Sequence, residues 1–348
     1  MTYSNRRRRN SFLMAVAIVL TWTSAVSQRL ELETIPISTT AYFRGMSVVD
    51  NDVAWVSGSK GTIGRSLDGG KTWRFVRVKG HEDLEFRSVY GFDSLNAVIA
   101  NAGSPAYIFK TTDGGENWRQ TYVNSSPEAF IDGVDFWNSR EGMFYGDAIR
   151  GRMLIVKTTD GGATWTEPAE SLRPELKDGE GSFAASGTNI RCFPSGRTYI
   201  ATGGKVSRLF ISHDFASTWT VVNPPVIQGK TMTGIFSIGF RDEHYGILVG
   251  GDYETDTLKQ DHIYITTDAG KTWKVPKTPT GGIRECVEFI SKDLVVAAGY
   301  PGIDISHDGG FTWEVLSDEK RYAVVRKARK GDLIILAGQG KIARLKSR

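Results

Sequence analysis

Cysteine and histidine are scarce in this chain, and neither occurs in a metal-binding spacing. The 348 residues include only Cys192, Cys286 and five scattered histidines. A zinc site or a disulfide-rich scaffold is therefore excluded as the organising feature. We expect both cysteines to be buried free thiols, because the repeat described below places them in separate units. No cofactor motif is present, so we expect neither a metal nor another cofactor.

An excess of basic residues is also lacking once the first residues are set aside. Arg6–Arg9 precede an apolar run from Phe12 to about Ala25, and small residues follow. This pattern predicts a signal peptide over residues 1–27, cleaved before Gln28, and a secreted or periplasmic location. An uncleaved anchor is the alternative, but the run is shorter than the roughly 20 residues that span a bilayer.

The charge of the remaining chain argues against nucleic acid. The formal net charge is +4, and residues 1–27 contribute four arginines and no acid, so residues 28–348 are neutral overall. A uniformly basic binding surface is therefore not supported. We expect a monomer with no nucleic-acid partner and no membrane span after processing.

One eight-residue pattern recurs six times. Each copy begins with Ser or Thr, has Asp in third place and ends with Trp, and successive copies start 40–54 residues apart. That spacing is the length of a four-stranded propeller blade. The copies are Ser66–Trp73, Thr111–Trp118, Thr158–Trp165, Ser212–Trp219, Thr266–Trp273 and Ser306–Trp313.

The chemistry of the pattern is that of a hairpin turn. An Asp carboxylate can accept backbone N–H groups from the turn that follows it, and glycine tolerates the positive φ of a tight connection. The Trp begins the next strand and is large enough to pack between sheets. The pattern resembles the Asp-box, or BNR repeat. We therefore assign structural roles to Asp68, Asp113, Asp160, Asp214, Asp268 and Asp308.

The strand pattern around the boxes predicts an all-β, seven-bladed β-propeller. Alternating apolar residues give four strands around each box, and no segment has the periodicity of an amphipathic helix. Only three strands follow the sixth box, while residues 29–38 form a strand with no partner. We predict that this N-terminal strand completes the last blade, which removes an exposed sheet edge. Residues 28–348 are then a single domain.

Three insertions point to one face of this propeller. The loops between the second and third strands of a blade share a face with the connections between blades. The insertions at 146–151, 169–187 and 250–261 all belong to that face. Long loops on a rigid scaffold are common places for function.

Arginines occur at the start of several inner strands on the same face. Arg44, Arg87 and Arg284 occupy matching places in the predicted first, second and sixth blades. Their guanidinium groups would suit a carboxylate or phosphate, since the planar fork binds oxyanions in pairs. The alternative is that they form internal salt bridges. Candidate partners are Asp132, Asp135, Glu285 and Glu288.

Further polar residues are predicted on that face. Asn189, Asp252 and Tyr253 could contact a ligand, although backbone turns could equally explain them. If the protein hydrolyses glycosides, Asp147 and Asp252 are the acid/base candidates, because that reaction needs two facing carboxylates.

With the boxes, several short segments resemble the YCF48-like propellers of the photosystem II stability and assembly factor family. These segments begin at Phe43, Trp55, Phe183, Gly234 and Val249. The resemblance implies a non-catalytic binding or assembly scaffold that recognises a protein, or an anionic glycan, on its arginine-bearing face. A glycan-active enzyme, either a sialidase-like hydrolase or a lyase, is the alternative. Sialidases have six blades and an early Phe-Arg-Ile-Pro, whereas this chain reads Phe43-Arg-Gly-Met.

Overall fold

The computed structural model describes residues 1–2 and 30–347. The predicted signal peptide, apart from its first two residues, lies outside the described residues, so its cleavage stays a prediction. No helix in the described part of the chain is long and apolar enough to cross a membrane.

Seven sheets surround a central channel, as the repeat predicted. Their innermost strands contact one another in chain order, and the innermost strand of the last sheet contacts that of the first again. Blade 1 contains β2 (Phe43–Val48), β3 (Ala54–Gly58), β4 (Thr62–Ser66) and β5 (Arg74–Arg77). Blade 2 contains β6 (Phe86–Gly91), β7 (Ala97–Asn101), β8 (Ala106–Thr111) and β9 (Arg119–Asn124). Blade 3 contains β10 (Ile131–Phe136), β11 (Gly142–Ile149) and β12 (Arg152–Thr158).

The remaining blades follow the same antiparallel order. Blade 4 contains β14 (Ile190–Cys192), β15 (Thr198–Ala201), β17 (Leu209–Ser212) and β18 (Thr220–Val222). Blade 5 contains β19 (Thr233–Phe240), β20 (Gly246–Asp252) and β21 (Ile263–Thr266). Blade 6 contains β22 (Cys286–Phe289), β23 (Val295–Gly299), β24 (Gly302–Ser306) and β25 (Glu314–Ser317). Blade 7 contains β26 (Tyr322–Lys327), β27 (Ile334–Gly338), β28 (Lys341–Ser347) and β1 (Leu30–Ile35).

Strand β1 closes the ring, which confirms the prediction for the N-terminal strand. It pairs antiparallel with β28 from Leu30 opposite Ser347 to Ile35 opposite Ile342. Leu30 and Leu32 pack against the core shared by blades 1, 6 and 7. The last blade is therefore assembled from both ends of the described propeller.

The fourth strands of blades 3 and 5 are reduced to single bridges, Lys157 with Thr166 and Ile265 with Lys274. In each case a proline stands two residues beyond the bridge, at Pro168 and at Pro276. Proline cannot donate the next ladder hydrogen bond, so pairing stops there.

Each Asp-box is a self-contained turn. In the first box, the Ser66 hydroxyl donates to Asp68 Oδ1 over 2.9 Å and accepts the Gly70 N–H over 2.9 Å. Asp68 Oδ1 also accepts the Thr72 N–H over 2.9 Å, and Oδ2 accepts the Thr72 hydroxyl over 2.6 Å. These hydrogen bonds favour the ionised carboxylate and lower the pKa of Asp68 to about 2 although partial burial acts against them.

The box tryptophans lie at the junctions between blades. Each of the six packs with a different one of six core clusters. Trp118 of blade 2, for example, meets Trp55 of blade 1 edge-on, with ring centroids 6.3 Å apart. Cys192 and Cys286 are free thiols on the inner strands of blades 4 and 6, as predicted, but only Cys286 is buried, whereas Cys192 is partly exposed.

Candidate functional site

The propeller has two distinct faces. The Asp-box face carries the box turns and the loops between first and second strands. The crossover face carries the connections between blades and the loops between second and third strands, including the three insertions. This division follows from the order of the strands within each blade.

The largest insertion is fixed to the crossover face by backbone pairing. It contains a short 3-10 helix (Glu170–Leu172) and β13 (Glu180–Gly181). Strand β13 pairs with β16 (Gly203–Gly204), which in turn pairs with the innermost strand of blade 5. The insertion therefore extends over the inner edge of that blade.

A buried ion pair holds this insertion. Arg208 donates from Nε and Nη2 to Glu180, with its shortest contact 2.6 Å, and the Thr202 hydroxyl donates to the same carboxylate over 2.6 Å. The Glu180 side chain is 0% exposed and that of Arg208 is 12% exposed. Both charges are thus removed from water but satisfied by each other.

In five of the seven blades, a β-bulge lies at the start of the inner strand, near the channel mouth on the crossover face. In five blades the register between the first and second strands shifts by one residue near the start of the first strand. The extra residue is left out of the ladder and can project toward the channel. The bulge residues are Arg44, Arg87, Asp132, Phe236 and Ala323.

Arg44 and Arg87 share a single carboxylate. Arg87 Nη2 donates to Glu85 over 2.6 Å, and Arg44 Nε lies 3.8 Å from the other oxygen of Glu85. The Nε atoms of both arginines are buried without a hydrogen-bond acceptor among the described residues. Two guanidinium groups with one shared counter-ion retain the capacity to bind an oxyanion.

Aromatic side chains surround these arginines. The Arg44 guanidinium lies over the Tyr42 ring, 4.3 Å from its centroid. Burial raises the pKa of Tyr253, and the positive charges of both arginines act in the opposite direction. Tyr253 is 39% exposed, and its ring stacks beside Phe236 with centroids 6.2 Å apart. The mouth therefore combines cationic groups with an accessible aromatic surface.

Burial reduces the negative charge at this mouth. Desolvation raises the pKa of Glu285 to about 7, although Arg44 acts in the opposite direction. Desolvation and the nearby Asp147 raise the pKa of Asp132 well above its ordinary value. Both carboxyls are thus shifted toward their neutral forms beside the arginines, which leaves the mouth more positive than the count of residues suggests.

Arg284 does not join Arg44 and Arg87. Its side chain is 3% exposed and forms an ion pair with Asp304 inside blade 6. In blade 1, Phe43 pairs with Gly58 and Arg44 is the next residue. In blade 6, the backbone of Arg284 lies against Gly299, so the next residue, Glu285, corresponds to Arg44. The sequence alignment of the blades was therefore wrong by one residue here, and such a shift turns a side chain to the other face.

Two other predicted ligand residues are engaged inside the fold. Asn189 is buried and donates to the Phe183 carbonyl over 3.0 Å. Asp252 is 2% exposed and pairs with the exposed Lys230 over 2.8 Å. Of the six predicted ligand residues, the structure brings together Arg44, Arg87 and Tyr253.

The two candidate catalytic acids lie in separate surroundings. Asp147 accepts the Ser182 N–H over 2.8 Å, and burial raises its pKa. Asp252 contacts Lys230, which is the main cause of its lowered pKa. The carboxylate that adjoins Asp147 is instead Asp132. Among the described residues, no group of three or more His, Cys, Asp or Glu could hold a metal ion.

Sequence reasoning missed Tyr42, Glu85 and the bulge itself. Glu85 stands two residues before Arg87, which was the available signal for a local ion pair. The stack of Phe183 on Phe236, with centroids 3.9 Å apart, joins the large insertion to blade 5 and had no signal in the sequence.

Comparison with known proteins gives consistent matches. The family described as photosynthesis system II assembly factor YCF48 matches residues 24–127, and the BNR/Asp-box repeat matches residues 264–275. No curated protein matches the chain.

Several solved structures share the fold. A structure titled "YCF48 bound to D1 peptide" is 20% identical with a TM-score of 0.67, and the match covers 92% of this chain and 97% of that one. YCF48 from Cyanidioschyzon merolae is 17% identical with a TM-score of 0.66, covering 90% and 98%. The GH74 enzyme of Niastella koreensis is 16% identical with a TM-score of 0.58, covering 84% of this chain but only 50% of the enzyme.

The family match includes the arginine-bearing starts of blades 1 and 2, and the structure has a ring of seven blades, six of which carry an Asp-box. The chain is a seven-bladed β-propeller with Asp-box turns, and over residues 24–127 it is similar to the photosystem II assembly factor YCF48.

Proposed function

We propose that this protein is a non-catalytic scaffold that binds an acidic segment of a partner protein at the crossover-face mouth. The observation that carries the proposal is the convergence of Arg44 and Arg87 on the single carboxylate of Glu85, with the two arginine side chains still 17% and 24% exposed. Exposed Tyr253 beside them supplies aromatic contact area of the kind enriched at protein interfaces. The solved YCF48 structure with a D1 peptide supports a peptide as the type of partner.

The proposal includes export, which rests on the pattern of residues 1–27. A photosynthetic role is no part of it. N-terminal sequencing of the protein from the extracytoplasmic fraction of its host would test export, and a start near Gln28 is the expected result.

Replacing both arginines, Arg44→Gln and Arg87→Gln, should weaken binding of an acidic peptide at least tenfold. Each charge-assisted hydrogen bond is worth about 1.5–3 kcal/mol, and 1.4 kcal/mol is a factor of ten. Binding of a synthetic peptide rich in Asp, Glu and Tyr would be measured by calorimetry at two salt concentrations, against a peptide with the acids changed to amides.

The matched control is Lys79→Gln with Lys259→Gln, which removes the same charge from exposed positions on this face. Equal weakening by the two double variants would contradict a specific mouth. Preferential binding of an acidic polysaccharide such as polygalacturonate would favour the glycan ligand instead. Turnover of fluorogenic glycosides, lost on Asp147→Ala, would favour the enzyme.

Binding at this mouth should weaken as the pH rises from 6 to 8. The raised pKa of Glu285, about 7, means that this carboxyl is mostly neutral below pH 7 and ionised above it. Once ionised, it competes with the ligand for Arg44, and one unit charge at this range changes affinity by about threefold or more. The Glu285→Gln variant should bind equally across this pH range, and a pH profile unchanged by that substitution would refute the assignment.

A further inference from the structure

A second cavity lies at the opposite end of the channel, on the Asp-box face. Its volume is about 970 Å³, and all seven blades contribute to its wall. The wall is formed by the ends of the inner strands and by the loops that follow them. None of the residues of the crossover-face mouth lines this cavity.

The wall of this cavity is strongly basic. Seven lysines and arginines line it, against three carboxylates. The basic residues are Arg191, Arg241, Lys292, Arg326, Lys327, Arg329 and Lys330.

The three carboxylates are already engaged by the protein. Glu288 Oε2 accepts from Arg191 over 2.6 Å and from Arg326 over 3.1 Å. Asp135 accepts two backbone N–H groups, over 2.7 and 2.9 Å. Asp242 accepts two further backbone N–H groups, both over 2.8 Å. Asp242 also pairs with Arg241 over 3.3 Å, and Lys327 lies 3.6 Å from Asp332, so four of the seven cations have an ion pair.

Three of the cations have no ion pair among the described residues. Lys292 and Lys330 are exposed at the rim. Arg329 donates to the Ser47 hydroxyl over 2.8 Å and lies over the Tyr90 ring, 4.3 Å from its centroid. Its contacts orient the guanidinium but do not neutralise it.

Two guanidinium groups, those of Arg191 and Arg326, share Glu288 deeper in the cavity, where their side chains are 14% and 16% exposed. Burial and the neighbouring Arg191 lower the pKa of Arg326, even though Glu288 lies between them. Arg326 and Arg329 stand three residues apart at the end of β26, and both line the cavity with Tyr90. An anion bound there would offset the repulsion between Arg191 and Arg326.

Aromatic side chains form much of the remaining wall. The volume of the cavity lies within the range of small-molecule binding sites, roughly 300–1,000 Å³, and such sites combine apolar walls with a few polar groups. The aromatic residues are Tyr90, Phe92, Phe136, Trp137, Phe193, Phe240 and Phe289.

We propose that this cavity is a second binding site, separate from the partner-binding mouth, for a small organic anion. The carboxylate or phosphate of the ligand lies against Arg326 and Arg329, and its apolar body lies against the aromatic wall. The planar guanidinium forks match both kinds of oxyanion, so the acid group can come from either class.

Calorimetry with phenyl phosphate, benzoate and phenol would test the site on the intact chain. We expect the two anions to bind and neutral phenol not to bind at concentrations up to about 10 mM, a range that covers weak single-group ligands. A stronger response to phenyl phosphate than to benzoate assigns the site to phosphates, and the reverse assigns it to carboxylates. Failure of both anions to bind would overturn the proposal.

Substitutions of cavity residues test whether the anions bind in this cavity. Arg326→Gln should weaken it at least tenfold, because Glu288 then remains paired with Arg191 while a charge-assisted contact is lost. Lys292→Gln with Lys330→Gln, at exposed positions with no described structural contacts from their side chains, should weaken it about threefold or more. This second variant keeps the test decisive if Arg326→Gln does not fold.

Two controls separate this site from the other end of the channel. Lys79→Gln with Lys259→Gln removes equal charge from the crossover face and should leave anion binding unchanged. Arg44→Gln with Arg87→Gln should also leave it unchanged, even where that variant loses acidic-peptide binding. Loss of phenyl phosphate binding in either control, with none in the cavity variants, would overturn the second site while leaving the proposed function in place.

Discussion

Replacing Arg208 with alanine should destabilise the protein by about 3–5 kcal/mol, because removal of one partner strands a buried charge. Glu180 would remain with a fully buried carboxylate and a hydroxyl as its only side-chain donor. The cost is limited by detachment of the insertion, which would return Glu180 to water. We therefore expect both a lower free energy of unfolding in urea and faster proteolysis between residues 169 and 187.

The matched control is Arg150→Ala, in the same region of the crossover face. Arg150 pairs with Glu170 of the insertion over 2.7 Å, but its side chain is 71% exposed. Exposed pairs contribute about 0–1 kcal/mol, so this variant should unfold almost as the parent does. Similar losses in the two variants would contradict the role of burial.

Removing strand β1 should lower the melting temperature by on the order of 10 °C. A chain that starts at Pro36 loses the packing of Leu30, Leu32 and Ile35, and each apolar side chain contributes about 1.5–3 kcal/mol when fully buried. With an unfolding entropy of about 2.1 cal/mol/K per residue, a chain of roughly 310 residues loses about 1.5 °C per kcal/mol, so a loss of about 4–6 kcal/mol lowers the melting temperature by about 6–9 °C. Differential scanning calorimetry would measure the change.

A chain that starts at Leu30 is the control, since it keeps β1 and lacks only the preceding residues. The shorter chain also leaves β28 as an open edge, and such edges recruit other chains. We therefore expect concentration-dependent association in light scattering only when β1 is absent. Equal melting temperatures for the two chains would show that ring closure does not depend on this strand.

The comparison of blades explains why one predicted arginine is misplaced. Arg44 and Arg87 occupy bulges, where the extra residue leaves the ladder. In blade 6, Cys286 pairs with Ala298 and the backbone of Arg284 lies beside Gly299, so Glu285, between them, takes the place that Arg44 has in blade 1. A bulge is visible only in the pairing of two strands, and a match of short motifs cannot detect it.

The second cavity had no signal in the sequence for a related reason. Arg191, Glu288 and Arg326 come from blades 4, 6 and 7 and are up to 135 residues apart in the chain. No motif joins them, and they lie in three different strands. Their meeting results from the closure of the ring around a narrow channel.

The sequence by itself determined the number of blades, the Asp-box turns and the way the ring closes. Those features depend on contacts between residues close in the chain, repeated once per blade, and on the count of strands. The tertiary structure alone decided which arginines meet at the crossover-face mouth, which are tied up in ion pairs, and where the basic cavity lies. Those outcomes depend on strand register and on distances across the channel, and a shift of one residue reverses the direction of a side chain.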